Sequence, residues 1–356
     1  MIQRIFPRPS LGRPLLAAAL ACLLPALATA QDPTVRFGET VPRDVREIYD
    51  RGLQFLATTQ QENGDWPNQG YAGPGVTALA SMVMLASGED PNFGLYSNHV
   101  RRALRNVITA QSADTGIIGS SMYEHGFATL ALAEAYGTVD DRNLWTAGAA
   151  GKTRTIGQAL ELAVRGALTS QKKNPVGGWR YSPDASDADT SVSGAVLVGL
   201  LAARNAGIEV PDAAIDRAIT YYTKMTSPQG QVGYSGGFGG MGQSTARTSI
   251  ATLVFAVARR KDLPEFKAAL NNLVVQPDIN DSGGGFTDYS RYYQAQALFQ
   301  GDIEAWQKWN KMLVRQLKTT QAADGSFPSQ FGTSIGTSMS LLALALNYRF
   351  LPIYER

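Results

Sequence analysis

A glycine turn recurs six times along this chain, and any fold must accommodate that repetition. Gln60-Gln61-Glu62-Asn63-Gly64-Asp65-Trp66 reads as Gln, three residues, Gly, one residue, Trp. Gln321-Ala322-Ala323-Asp324-Gly325-Ser326-Phe327 keeps the spacing, with Phe as the aromatic. Looser relatives run from Gln111 to Gly116, Gln171 to Trp179, Gln229 to Tyr234 and Gln276 to Phe286. Intervals of roughly 40 to 60 residues signify a repeat architecture, in which each unit buries its apolar face only against its neighbours.

The spacing of apolar residues predicts a helix on either side of every turn. The preceding helices, expected at Val45–Gln60, Val100–Gln111, Ile156–Gln171, Ala213–Met225, Glu265–Val275 and Ile303–Gln321, are amphipathic, with charged faces such as Arg101, Arg102 and Arg105. The following helices, expected at Val76–Ala86, Met122–Tyr136, Thr190–Asn205, Thr245–Arg259, Ser290–Phe299 and Thr337–Tyr348, are rich in Ala, Gly, Ser and apolar residues. A helix apolar on all sides is a buried one. Asp189, Ser244 and Asp288 sit at or near the starts of this second set, where their side chains can cap exposed N–H groups. No stretch alternates as a strand would. Six pairs, outer amphipathic and inner buried, close into a double ring of helices. The expected fold is therefore all-α, an α/α toroid whose inner helices begin at the mouth where the glycine turns gather.

Residues 1–30 read as an export signal: Arg4, Arg8 and Arg13, an apolar run from Leu15 to Leu27, and Ala28-Thr29-Ala30 as a cleavage site. Residues 31–42 read as a polar tether and residues 43–356 as the toroid. The run is short for a membrane span and is broken by Pro25. The expected mature chain is exported, periplasmic or secreted, with no membrane span. Losing three Arg from 32 basic residues leaves 29 against 30 acidic ones, so nucleic acid is not an expected partner. The single Cys, Cys22, leaves with the signal, which excludes disulfides, thiolate metal sites and a Cys nucleophile. His99 and His125 are the only imidazoles, too few for a His-rich metal site, and no cofactor is expected.

The repeat resembles that of the terpenoid cyclase and protein prenyltransferase superfamily, whose squalene–hopene and oxidosqualene cyclases carry the Gln-x3-Gly-x-Trp turn. It also looks like the exported squalene-cyclase-like repeat proteins of bacteria. In the cyclases a Gly-Gly-Trp turn precedes Asp-x-Asp-Asp-Thr, whose central Asp protonates an alkene or epoxide. The matching residues are Gly177-Gly178-Trp179 and Asp187-Ala188-Asp189-Thr190-Ser191. The resemblance places Asp189 at the protonating position and Asp187 at the first acid, with Thr190 in place of the last Asp. The second barrel of those enzymes has no counterpart here. The zinc site of the prenyltransferases and the thioester of complement proteins both need a Cys and do not carry over.

An isolated Asp is about one part in a thousand protonated at pH 7, so an acid role requires burial or a second carboxylate nearby. Capping of the third inner helix explains an Asp at position 189 equally well, with Asp184 and Asp187 as solvated loop residues. Glu124 and His125 open the second inner helix at the same mouth, either for acid–base work with Asp189 or as structural groups. Tyr123, Tyr289, Tyr292, Tyr293 and Trp179 supply aromatic faces for a carbocation or a sugar, or simply core. Gly230 to Gly242 reads as a long mouth loop.

Three functions are compatible with these residues. A central cavity could bind an apolar small molecule or lipid of isoprenoid type. Asp189, helped by Asp187, could donate a proton in a cyclase-like reaction. An extracytoplasmic polysaccharide hydrolase or lyase is the third, since double helical rings host these too.

Overall fold

The computed structural model describes residues 41–67, 72–145, 153–237, 244–281 and 285–354. The expected signal, and the tether up to residue 40, lie outside the described residues. Val41 is already buried, so the ring takes in the last two positions of the expected tether. Among the described residues there are twelve α-helices and no strand.

The outer set is α1 (Arg43–Thr59), α3 (Ser97–Thr109), α5 (Ile156–Lys173), α7 (Asp212–Met225), α9 (Pro264–Val275) and α11 (Ile303–Thr320). The inner set is α2 (Pro74–Leu85), α4 (Met122–Ala135), α6 (Thr190–Asn205), α8 (Thr245–Val257), α10 (Thr287–Gly301) and α12 (Thr333–Ala345). Every residue of α2 is buried, whereas α1 buries only one stripe, Val45, Ile48, Tyr49, Gly52, Leu53 and Leu56. Inner helices pack in the order α2, α4, α6, α8, α10, α12, and α12 returns to α2. The ring is closed.

Small residues let inner helices approach closely. A side chain at Gly126 of α4 would lie 2.6 Å from the backbone of Ala195 in α6, and one at Gly199 would lie 2.8 Å from the Gly126 carbonyl. No such contact can exist with a Cβ in place.

The repeated Gln has a defined task. Its Nε2 donates both to the turn's own carbonyl and to a carbonyl of the next outer helix. Gln60 reaches Gly64 and His99, Gln111 reaches Gly116 and Ala159, and Gln171 reaches Gly177 and Ala214. Gln321 bonds Gly325 and Ile48 of α1, each at 2.9 Å, so the last turn is stapled to the first helix. Gly325 has φ of +91°, and a Cβ there would lie 2.3 Å from the Arg51 carbonyl. In the fourth unit Thr226 pairs with Val232 as Gln111 pairs with Ile118, so Thr226, rather than Gln229, occupies the Gln position.

Asp189, Ser244, Ser121 and Thr155 cap α6, α8, α4 and α5 through their side chains. Asp288 lies inside α10 rather than at its cap. The helix starts at α10 and α12 come three or four residues earlier than the apolar pattern indicates.

Candidate active site

The hairpin Gly177–Asp189 feeds α6 into the ring and is fixed at both ends. The Asp189 N–H donates to the Trp179 carbonyl at 3.1 Å, and the Trp179 N–H to Ser193 Oγ at 2.8 Å. The Trp179 indole N–H reaches the Ala167 carbonyl of α5 at 3.0 Å. The Tyr181 carbonyl accepts the Met122 N–H of α4, and the Thr190 N–H donates to the Tyr234 carbonyl before α8. The hairpin thus bridges the starts of three inner helices.

Asp189 is fully buried. Oδ1 accepts the Val192 N–H at 2.8 Å, the capping bond, while Oδ2 has no hydrogen-bond partner among the described residues and lies 3.5 Å from Arg180 Nε. Burial pushes this carboxyl up to about 6, although the Val192 N–H and the Arg180 charge pull the other way. At neutral pH about one molecule in ten then carries the proton, against about one in a thousand for an ordinary Asp. Both sequence readings of Asp189, cap and candidate acid, meet in one side chain with two differently placed oxygens.

Arg180 organises what surrounds it. Its guanidinium bonds the exposed Asp187 at 2.8 Å and lies 5.8 and 5.5 Å from the ring centres of Tyr181 and Tyr234. The hydroxyls of those two tyrosines are 3.1 Å apart. Asp187 therefore neutralises Arg180 at the surface instead of turning inward beside Asp189.

Glu124 and His125 do not join this group. Adjacent residues on a helix diverge by about 100° and cannot face one point. Glu124 completes a capping box, accepting the N–H groups of Ser120 and Ser121 and the Ser120 hydroxyl. His125 is turned outward: Nδ1 accepts the Ile118 N–H at 3.1 Å, and the ring lies against the backbone of Ala163 in α5, with Nε2 lacking a hydrogen-bond partner among the described residues. Burial lowers its imidazole to about 4, so it is neutral at physiological pH. It is a wall residue between α4 and α5, which is the structural alternative of the two readings, and no hydrogen bond or ion pair among the described residues joins it or Glu124 to Asp189.

The aromatic residues divide by depth. Tyr123 of α4 and Tyr289 of α10, on the second and fifth inner helices, meet hydroxyl to hydroxyl at 2.8 Å. Beneath them Phe127, Tyr292 and Tyr293 are buried and edge-packed in one continuous cluster. The axial hollow expected to take an apolar ligand is crossed here by side chains. Tyr292 and Tyr293 form the floor of the mouth, and Trp179 is buried structure, so neither set lines an open ligand surface as expected. Half-exposed aromatic faces remain at Tyr181 and at Phe286, which stacks on Phe331. Sequence reasoning missed Arg180, Tyr181, Tyr221 and Tyr234. Of these, only Arg180 and Tyr181 carried a local signal, by following the Gly-Gly-Trp turn directly.

Among the described residues no helix is long and apolar enough to cross a membrane, and no group of three His, Asp or Glu residues could hold a metal ion.

Solved structures share this fold. The α-1,6-mannanase GH76A of Salegentibacter sp. HEL1_6, an inactive variant with two aspartates changed to asparagine bound to α-1,6-mannotriose, is 12% identical with a TM-score of 0.62, over 87% of this chain and 100% of that one. The type II terpene cyclase MstE from Scytonema, in complex with geranylgeranyl dihydroxybenzoate, is 14% identical with a TM-score of 0.59, over 86% and 98%. The family 76 mannosidase Bt3792 from Bacteroides thetaiotaomicron VPI-5482 is 11% identical with a TM-score of 0.60, over 84% and 97%. At such identities the likeness is one of fold, an α/α toroid common to terpene cyclases and mannanases. No curated protein matches the chain in sequence. Residues 45–332 match the model of a family described as a domain of unknown function, DUF6288.

Proposed function

The chain belongs to the DUF6288 family, and from its site we propose that it is an acid catalyst acting at the mouth of the toroid on a neutral ligand, with Asp189 as proton donor. The observation that carries this reading is the Asp189 carboxyl itself. It is buried, one oxygen is committed to the helix cap, and the other accepts no hydrogen bond among the described residues and meets Arg180 only at 3.5 Å. Capping needs only the first oxygen. A burial that keeps the second away from bulk water is unfavourable for structure alone and suits a group that must hold a proton.

The ligand class we favour is a hydroxyl-bearing chain such as an oligosaccharide. The Tyr123–Tyr289 contact crosses the axis, and the exposed ring faces of Tyr181 and Phe286 give a sugar surfaces on which to stack. With residues 1–30 read as a signal cleaved near Ala30, such a ligand would be met outside the cytoplasm. The likeness to mannanases agrees with this class without selecting it.

One observation favours a second reading, protonation of a polyene in the manner of the terpene cyclases. Asp187 is tied to Arg180 and Glu124 to its cap, so neither is free to serve as the second carboxylate of a glycosidase. Incubating the purified protein with α-1,6-linked mannan oligosaccharides and with squalene or a geranylgeranyl aromatic ester separates the two. Turnover of either, abolished in Asp189→Asn, supports Asp189 as the acid, and the substrate consumed names the class. Turnover unaffected by Asp189→Asn contradicts the reading.

A further inference from the structure

Tyr221 of α7 belongs to the outer helix set, yet its ring packs on the hairpin that carries the acid. The residue is buried, and among the described residues Oη has no hydrogen-bond partner. Its ring lies on the acid hairpin: a Cβ at Gly178 would meet Tyr221 Cδ1 at 3.1 Å and Ala188 Cβ at 2.9 Å. Ala188 is the residue before Asp189. The Asp189 charge reaches the phenol strongly enough to raise it, second only to burial, and Arg180 opposes the effect. Two buried oxygens without a hydrogen-bond partner among the described residues, Tyr221 Oη and Asp189 Oδ2, therefore belong to α7 and to the hairpin it packs on.

Leaving a buried hydroxyl and a buried carboxylate oxygen both unsatisfied is costly, and native interiors join such groups through an oxygen with several polar partners. We propose that Tyr221 is the positioning residue of Asp189: together with Arg180 Nε the two groups hold one small hydrogen-bonding oxygen, a resident water or the hydroxyl of a bound ligand, through which Tyr221 bonds Oδ2. The phenol donates, the bound oxygen passes the hydrogen bond on, and the ionised form of Asp189 is favoured. Protonation of Asp189 turns the bridge round, Oδ2 then donating. This rests on the reading of Asp189 as the site's acid, but the bridge is measurable without any turnover.

The other groups that the charge on Asp189 reaches are Arg180 and Asp187 on its hairpin, Tyr123 on α4, Tyr222 on α7 and Tyr234 before α8. Tyr222 already donates to the Thr190 carbonyl, which makes it the control. Carboxyl carbon NMR of Asp-labelled protein, assigned with Asp189→Asn, gives the Asp189 midpoint in the wild type, Tyr221→Phe and Tyr222→Phe. Loss of the bridge in Tyr221→Phe raises the midpoint by about half a unit to one unit, the equivalent of one hydrogen bond, and Tyr222→Phe leaves it in place. A purely packing role for Tyr221 predicts no shift in Tyr221→Phe, and that result overturns the proposal. Should Tyr221→Phe fail to fold, a crystal structure of the wild type decides. An ordered water within hydrogen-bond distance of both oxygens in the free protein, or a ligand hydroxyl there in a complex with α-1,6-mannotriose, supports the bridge and identifies its source. Neither one present overturns it. A shifted midpoint with no substrate turned over would leave the bridge standing and remove the catalytic reading.

Discussion

Tyr123 and Tyr289 stand 166 residues apart in the chain, and their hydroxyls meet at 2.8 Å across the ring. The contact joins the second and fifth inner helices, which lie opposite one another, and it defines the depth of the mouth. Below it the interior is packed aromatic core. Above it lie Arg180, Asp187 and the half-exposed tyrosines. The candidate acid thereby lies at a rim where α6 begins.

The Tyr123–Tyr289 bond contributes about 1 kcal/mol as a buried neutral hydrogen bond. Tyr123→Phe and Tyr289→Phe should each lower stability by about that amount in urea unfolding, and the double variant should lose less than the two combined, because the second removal has no bond left to break.

Ring closure depends on the last turn. Gly325→Ala forces a non-glycine residue to φ of +91° and drives a Cβ to 2.3 Å from the Arg51 carbonyl. We expect a loss of about 3 kcal/mol or more. Gly207→Ala, at the same φ but with nothing within 4 Å of its Cβ, isolates the conformational part and should cost only about 1 kcal/mol. Equal losses would show that the close approach to α1 is not what the glycine protects.

Gln321→Leu removes the donor shared by the Gly325 and Ile48 carbonyls and should cost about 2 to 4 kcal/mol. The same substitution at the solvent-facing Gln229, outside the staple position, should be nearly silent in thermal unfolding.

Two buried groups make opposite demands on pH. Asp189 holds its proton more tightly folded than unfolded, so its contribution is greatest below its ordinary value of 3.8 and is lost as pH rises through about 6. His125 binds its proton less tightly folded, so stability falls as pH drops below its ordinary 6.5 toward about 4. In the wild type the two slopes largely cancel. Asp189→Asn keeps a capping side chain and removes one slope, so from pH 4 to 6.5 its stability should rise relative to the wild type, by up to about 3 kcal/mol. At pH 7 to 8 the variant should be at least as stable as the wild type, as expected where a charge is buried for function. Unfolding measured across this range for both proteins checks the prediction.

The architecture was legible because its causes are local. A Gln, a glycine turn and an aromatic recur, and helices rich in small and apolar residues on all sides belong to the interior; the bounds of α6 agree residue for residue with the pattern. The site was legible only where a single side chain carries the signal. Asp189 announces itself by following the Gly-Gly-Trp turn as an N-cap. The direction in which a neighbouring side chain points is set by helix phase and packing, which is why His125, one residue from Glu124, faces α5. Tyr221 reads as ordinary core on an outer helix, and only folding sets its ring against Gly178 of the acid's hairpin. Arg180 acquires its importance from four partners: Asp187, Asp189 and the adjacent Tyr181 on its own hairpin, and Tyr234, which only folding brings close.

The central claim is that Asp189 is a buried carboxyl able to hold a proton near neutrality while capping α6. Its own titration, followed by carboxyl carbon NMR in the wild-type protein, tests this most directly. The account predicts a midpoint near 6; a midpoint at or below the ordinary 3.8 would mean that Arg180 and the Val192 N–H hold it permanently ionised, leaving Asp189 a helix cap alone.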